Sequence, residues 1–92
     1  MKYSKPEHDE ANQLFTIKIN EQVARVEYRM KNGVMQLIHS EVPPSLRGQG
    51  IGNHLVKKVF EYIETHNLKV LAVCSFIAAV AHKKDRWKGS IL

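Results

Sequence analysis

Apolar residues in the first half of the chain recur at about every second position. Leu14-Phe15-Thr16-Ile17-Lys18-Ile19 is rich in strand formers and alternates imperfectly, which predicts a first strand. Asn20-Glu21 makes a short turn. From Gln22 to Met30, Ala24, Val26, Tyr28 and Met30 oppose Val23, Arg25, Glu27 and Arg29, so a second strand has one mostly apolar face. Lys31-Asn32-Gly33 carries the Asn-Gly hairpin signal, and Val34 to Val42 follows as a third strand. Three strands joined by such short turns predict an antiparallel meander.

The period then changes. From about Gln49 to His66, Ile51, Leu55, Val59, Tyr62 and Ile63 fall on one side at helical spacing. Asn53, Lys57, Lys58, Glu61, Glu64 and Thr65 face outward, and Asn67 is a plausible stop. Lys69 to Val73 reads as a short apolar strand, expected parallel to the third through a right-handed crossover. Cys74 closes it, Ser75 is the expected helix cap, and Phe76 to about Lys84 makes a second helix. A single buried helix over Val70 to Ala81 competes with this. The β-branched Val70 and Val73, set against the Ala-rich Ile77 to Ala81, favour a break at Cys74–Ser75. Residues 1–11 are polar, with Pro6 and a His8-Asp9-Glu10 run, and are expected to be loosely held. The tail from Asp85 holds the only Trp, Trp87, and no clear pattern.

The prediction is therefore one α/β domain over residues 1–92: a three-stranded meander, a crossover helix, a parallel fourth strand and a C-terminal helix. Its 92 residues leave no room for a second core. A net charge of +5 favours anionic partners without choosing among them. Basic residues are spread along the chain, with a modest cluster at Lys83, Lys84, Arg86 and Lys88 that reads as solvated surface. One cysteine cannot form an internal disulfide, which suits a reducing compartment. The first six residues lack a signal peptide's apolar block, and no apolar run is long enough to span a bilayer. A cytoplasmic protein without membrane association is expected. His8, His54 and His66 show no zinc-ligand spacing, so no metal site is expected.

The densest chemistry lies at Val42-Pro43-Pro44-Ser45-Leu46-Arg47-Gly48-Gln49-Gly50-Ile51-Gly52, between the third strand and the first helix. Glycines let the backbone bend tightly and approach a ligand closely. The helix that follows directs its unpaired N–H groups and the positive end of its dipole at the loop. That combination suits a phosphate. Arg47 adds a charge that stays fixed near neutral pH. The bland alternative is a glycine-rich structural turn with a surface Arg.

Val42-x-Pro44-x-x-Arg47-Gly48-x-Gly50-Ile51-Gly52-x-x-Leu55 resembles the acetyl-CoA signature of the GNAT-superfamily N-acetyltransferases, written Q/R-x-x-G-x-G/A. Over roughly residues 8 to 90 the chain is similar to a group of very small single-domain GNAT-like proteins. The shared features are His39 near the end of the strand before the loop and Cys74-Ser75-Phe76 after the next strand. The resemblance implies a mixed sheet that splays between the last two strands, with the pantetheine arm of acetyl-CoA in the gap. It also implies that Val42, Arg47, Gly48, Gln49, Gly50, Ile51 and Gly52 hold the cofactor, Val42 through its main chain. Larger relatives carry N-terminal helices that build an acceptor pocket and a C-terminal strand pair, for which this chain has no room. Many also carry a Tyr that protonates the departing CoA thiolate. Aligning Ser75 and Ala78 with that helix puts His82 near the Tyr position.

Acyl transfer needs a held CoA, a deprotonated nucleophile and donors at the developing oxyanion. Cys74 sits at the carboxyl end of a parallel-type strand, where open α/β sheets place ligands, and just before a helix whose dipole lowers a thiol's pKa. It is the candidate nucleophile; a small buried hydrophobe is the bland alternative. Direct attack by the amine, with Cys74 only near the thioester, is the rival mechanism. His39 and Glu41 fall on one side of the third strand, and either could deprotonate an ammonium; a core histidine and a solvated strand end are the competing roles. The sequence thus points to an N-acetyltransferase that uses acetyl-CoA and an amine acceptor it does not identify. A non-catalytic acyl-CoA-binding module is the second reading. A nucleic-acid binder ranks last, because Tyr28 stands nearly alone as a stacking aromatic on a strand.

Overall fold

The computed structural model describes residues 6–83. Trp87 and the basic positions Lys84, Arg86 and Lys88 lie outside the described residues, as do residues 1–5. The order is β1 (Glu7–Asp9), β2 (Leu14–Ile19), β3 (Gln22–Lys31), β4 (Val34–Glu41), a 3₁₀ turn (Pro44–Leu46), α1 (Ile51–Thr65), β5 (Lys69–Ala72) and α2 (Ser75–His82). The strands form one sheet in sequence order, with β1 to β4 antiparallel and β5 parallel to β4. The expected meander, crossover helix, parallel strand and break before the last helix are all present.

One face of the sheet is apolar and α1 and α2 cover it. Phe15, Ile17 and Ile19 from β2, Ala24, Val26 and Tyr28 from β3, Met35 and Leu37 from β4 and Val70 from β5 are buried there. They join Ile51, Leu55, Val59, Phe60 and Ile63 of α1 and Ile77, Val80 and Ala81 of α2 in a single core. Each large side chain in it stabilises the fold by roughly 1.5–3 kcal/mol over its exposed state. The alternation breaks down at the hairpin end of β3, where Met30 is 44% exposed. The turns follow the sequence signals: Asn20, Asn32 and Gly33 all take positive φ, the conformation tight hairpins require.

The N-terminal expectation needs correction. His8 and its neighbours are not loose but form β1, paired to β2 with His8 opposite Phe15. The His8 ring stacks on Phe15 at a centroid distance of 4.1 Å and meets the edge of Tyr62 at 4.7 Å. Its Nε2 is hydrogen-bonded to the Tyr28 hydroxyl. Burial lowers the His8 pKa, aided by nearby His66 and opposed by Glu10 and Asp9. Burial likewise raises that of Tyr28. Both groups therefore favour their neutral forms. Asp9 ends the strand by accepting hydrogen bonds from the Asn12 main-chain N–H at 3.1 Å and side-chain amide at 2.8 Å.

A β-bulge then decides which side chains face inward at the C-terminal end of β4. Glu27 pairs with His39, but the next residue, Tyr28, pairs with Leu37, so Ile38 is extra. An extra residue reverses the in–out alternation beyond it. Ser40 lies opposite the buried Val26 and joins the helix-covered face. His39 and Glu41, opposite Glu27 and Arg25, project from the other face.

Candidate functional site

The β4–β5 ladder ends where Leu37 meets Ala72. Beyond it, the Leu37 carbonyl accepts N–H groups from both Val73 and Cys74, each at 3.0 Å. This is the last link before the strands part. β4 runs on to Glu41, whereas the chain after β5 turns into α2 with Cys74 as its N-cap. Ser75, expected as the cap, is instead the first helical residue, because Cys74 keeps the extended φ of −71° and ψ of 125° that a cap adopts.

A cleft of about 530 Å³ opens at the start of α1, with Ser40 of β4 and Phe76 of α2 among its lining residues. Six of the seven predicted cofactor positions line it: Val42, Arg47, Gly48, Gly50, Ile51 and Gly52. Gln49 does not, and its side-chain amide turns back to donate to the Ser45 carbonyl at 3.2 Å. Gly48 and Gly50 take positive φ of 80° and 77°, which glycine adopts without a Cβ penalty. Gly50 caps α1 without a side-chain hydrogen bond, and the first turn carries no acidic residue. The first intrahelical bond runs from the His54 N–H to the Gly50 carbonyl at 3.0 Å. The amides of Ile51, Gly52 and Asn53 precede it, so helix geometry leaves them no partner within α1.

Gly52 makes the cleft's inner wall possible. A Cβ there would stand 3.1 and 3.2 Å from Phe76 ring carbons and 3.3 Å from Val42 Cγ2. The Arg47 Nε donates to the Val42 carbonyl at 3.1 Å, bracing the mouth of the loop. That carbonyl retains a second lone pair for a ligand donor. Glycine backbone, unpartnered helix amides and a fixed cation form a donor set that fits the diphosphate of acetyl-CoA.

Cys74 lies beside this cleft rather than in its lining, half-buried against the core. Its Sγ is 3.5 Å from the Ser40 Oγ, and Ser40 does line the cleft. Burial pushes the thiol pKa up, but the Ser40 hydroxyl, the helix N–H groups of Ile77 and Phe76 and the Ser40 main-chain N–H outweigh it, and the net shift is downward. Neither helix amide makes a full capping hydrogen bond to the sulfur; their effect is that of helix-terminus dipoles aimed at it.

His39 is neither in the core nor in the cleft. Its side chain is 52% exposed on the outer face of the sheet, with Nε2 3.7 Å from Glu41 Oε2 and 4.0 Å from Glu27 Oε2. Arg25 completes the group at 3.4 Å from Glu41 and 3.7 Å from Glu27. Exposed pairs of this kind contribute little stability. His82 is exposed in the last turn of α2, about 12 Å along the helix axis from Cys74 at 1.5 Å per residue, and the fold does not bring the two together. The residue missed from sequence is Ser40. Its signal was the Leu37-Ile38 apolar doublet, after which the inward positions change from odd (Met35, Leu37) to even (Val42).

A family described as GCN5-related N-acetyl-transferase matches residues 14–90, both arms of the cleft included. The chain belongs to that family. Protein NATD1 of Gallus gallus is 35% identical over 75 residues, covering 77% of this chain and 67% of the relative. Protein NATD1 of Homo sapiens is also 35% identical, with 66% of its length covered; the chain spans about two thirds of these curated relatives. A GCN5-like protein of Staphylococcus aureus, whose solution structure was determined by NMR, superposes with a TM-score of 0.70 and 31% identity. The match covers 99% of this chain and 87% of that one. The mixed sheet with its parallel β4–β5 pair is thus the fold of this family. No helix among the described residues is long and apolar enough to cross a membrane.

Proposed function

We propose that this GNAT-family chain is a single-domain N-acetyltransferase that binds acetyl-CoA and delivers its acetyl group to an amine. The observation that carries the reading is the convergence of six of the seven signature positions on one cleft. That cleft opens at a helix start where amides await an anion. Acetyl-CoA, when bound, supplies the acetyl group as an activated thioester. Gly48 to Gly52 offer backbone N–H groups to the diphosphate, Arg47 adds charge, and Val42 offers main-chain groups to the pantetheine arm. Cys74 is the chain's own nucleophile, its thiol easier to ionise than an unperturbed one and in contact with Ser40 of the cleft wall. His39, held between Glu27 and Glu41 on the outer face, is the candidate base for an amine arriving from that side. The lone cysteine in a 92-residue chain fits a reducing, cytoplasmic setting.

The test is calorimetric titration with acetyl-CoA, followed by mass analysis of a polyamine, peptide-lysine and N-terminal amine panel. Saturable heat together with an acetylated amine supports the proposal. Heat without product from any amine moves the chain to the acyl-CoA-binding module, and no heat at millimolar acetyl-CoA overturns both readings. An acetyl adduct of the intact protein that disappears in Cys74→Ala supports the cysteine route over direct attack.

A further inference from the structure

The parity change at Ile38 has a chemical result. With unbroken alternation, His39 would follow Leu37 on the helix-covered face and Ser40 would face solvent. The bulge puts Ser40 inside instead, opposite Val26 on one side and within 3.5 Å of the Cys74 sulfur on the other. Cys74 is fixed from the opposite direction by its main chain, whose N–H is held by the Leu37 carbonyl at 3.0 Å. Its N-cap position fixes the backbone torsions from which the side chain springs. Ser40 is thus the hydroxyl that meets the sulfur across the parted strands, and it also forms part of the cleft wall.

At 3.5 Å either the thiol or the hydroxyl can donate. Once the thiol loses its proton the choice disappears, because a thiolate can only accept and the hydroxyl must turn its hydrogen toward sulfur. A hydrogen bond that strengthens on ionisation favours the charged form and restricts the sulfur's rotation at the same time.

We propose that Ser40 is the positioning residue for Cys74: its hydroxyl donates to the Cys74 sulfur and holds it beside the acyl-CoA cleft. The proposal rests on the reading of Cys74 as nucleophile, and it adds a residue that the cofactor signature does not contain.

The test measures iodoacetamide alkylation of the single cysteine against pH in the full chain, without acetyl-CoA, for the native protein, Ser40→Ala and Ser40→Thr. Removing a donor to a charged acceptor is expected to raise the alkylation midpoint by about one pH unit. Below both midpoints, the tenfold loss of thiolate is partly returned by greater intrinsic nucleophilicity, leaving the Ser40→Ala rate about threefold lower. Ser40→Thr keeps the hydroxyl and is expected to keep the native midpoint. In turnover, Ser40→Ala is expected to lower kcat with KM for acetyl-CoA little changed, whereas a merely cleft-lining serine would raise KM and leave the alkylation curve in place. An unmoved midpoint in folded Ser40→Ala overturns the proposal whatever the turnover shows. Full turnover by Cys74→Ala overturns the nucleophile reading and with it Ser40's part in transfer. The two failures are distinguishable because the midpoints are read without the cofactor.

Discussion

Replacing Gly52 with alanine separates the cleft's role in binding from its role in stability. The added Cβ would stand 3.1 Å from a Phe76 ring carbon and 3.3 Å from Val42 Cγ2, close enough that a neighbour must give by a few tenths of an ångström. Val42 is packed against the core, but Phe76 is 41% exposed and its ring can swing outward. The steric cost therefore falls toward the low end of the roughly 1–3 kcal/mol typical of overpacking. Alanine's helix propensity returns up to about 1 kcal/mol, since Gly52 has ordinary helical geometry. The net is within about 1 kcal/mol of zero, so Tm is expected to move by less than about 8 °C. Binding is different, because the methyl and the displaced ring occupy the wall beside the Gly52 amide. Losing one charge-assisted hydrogen bond there, about 1.5–3 kcal/mol, weakens CoA binding roughly tenfold to a hundredfold. Paired calorimetric titrations and thermal melts give both quantities. Native affinity in a folded Gly52→Ala variant would refute the placement of the diphosphate at the start of α1.

Three further outcomes follow from neighbouring geometry. Gly48→Ala meets no atom within 4 Å but keeps a φ of +80°, so backbone strain alone is expected to cost about 1–2 kcal/mol, read as a lower urea midpoint with an unchanged m-value. Arg47→Gln removes a full charge and the brace to the Val42 carbonyl; CoA affinity is expected to fall, and the variant's Kd should vary less steeply with salt than the native protein's. His8 is disfavoured as a cation in the fold, chiefly by burial. Its folded pKa lies below its unfolded value of about 6.5, so the unfolded chain binds more protons in that window. Stability is expected to fall as pH drops below about 6.5 and to level off below the folded pKa. His8→Phe should flatten that part of the profile in urea titrations from pH 7.5 to 4.5, and an unaltered profile would remove His8 as its cause.

The antiparallel meander and the crossover were legible because both periods are written plainly in the chain. Ala24, Val26 and Tyr28 alternate inward as expected, and Ile51, Leu55, Val59 and Ile63 form the buried stripe of α1. The glycine turn before α1 was legible because positive-φ turns demand glycine and leave it visible at Gly48 and Gly50. β1 was not, since three polar residues carry no period, and what holds them is His8's contact with Phe15, Tyr28 and Tyr62 from distant parts of the chain. Most of the chemistry at the tip of β4 turned on Ile38. Simple alternation carries His39 inward with Leu37, whereas the bulge exchanges it for Ser40. The cap at Cys74 was displaced by one residue because helix-start preference favours the serine, while the actual start was set where Leu37 releases the strand.

The doubly accepting carbonyl of Leu37 sets how a visitor meets this protein. No ladder pairing joins the two strands past that atom, so a slender acyl arm sliding between them has no main-chain bond to unzip. The strands diverge there through chain connectivity, the supernumerary Ile38 on one tine and the abrupt helix on the other, and the Ser40–Cys74 side-chain contact at 3.5 Å spans them. Entry is accordingly expected to displace at most a side-chain contact and no main-chain pairing, leaving association governed by charge and diffusion rather than by a slow opening step.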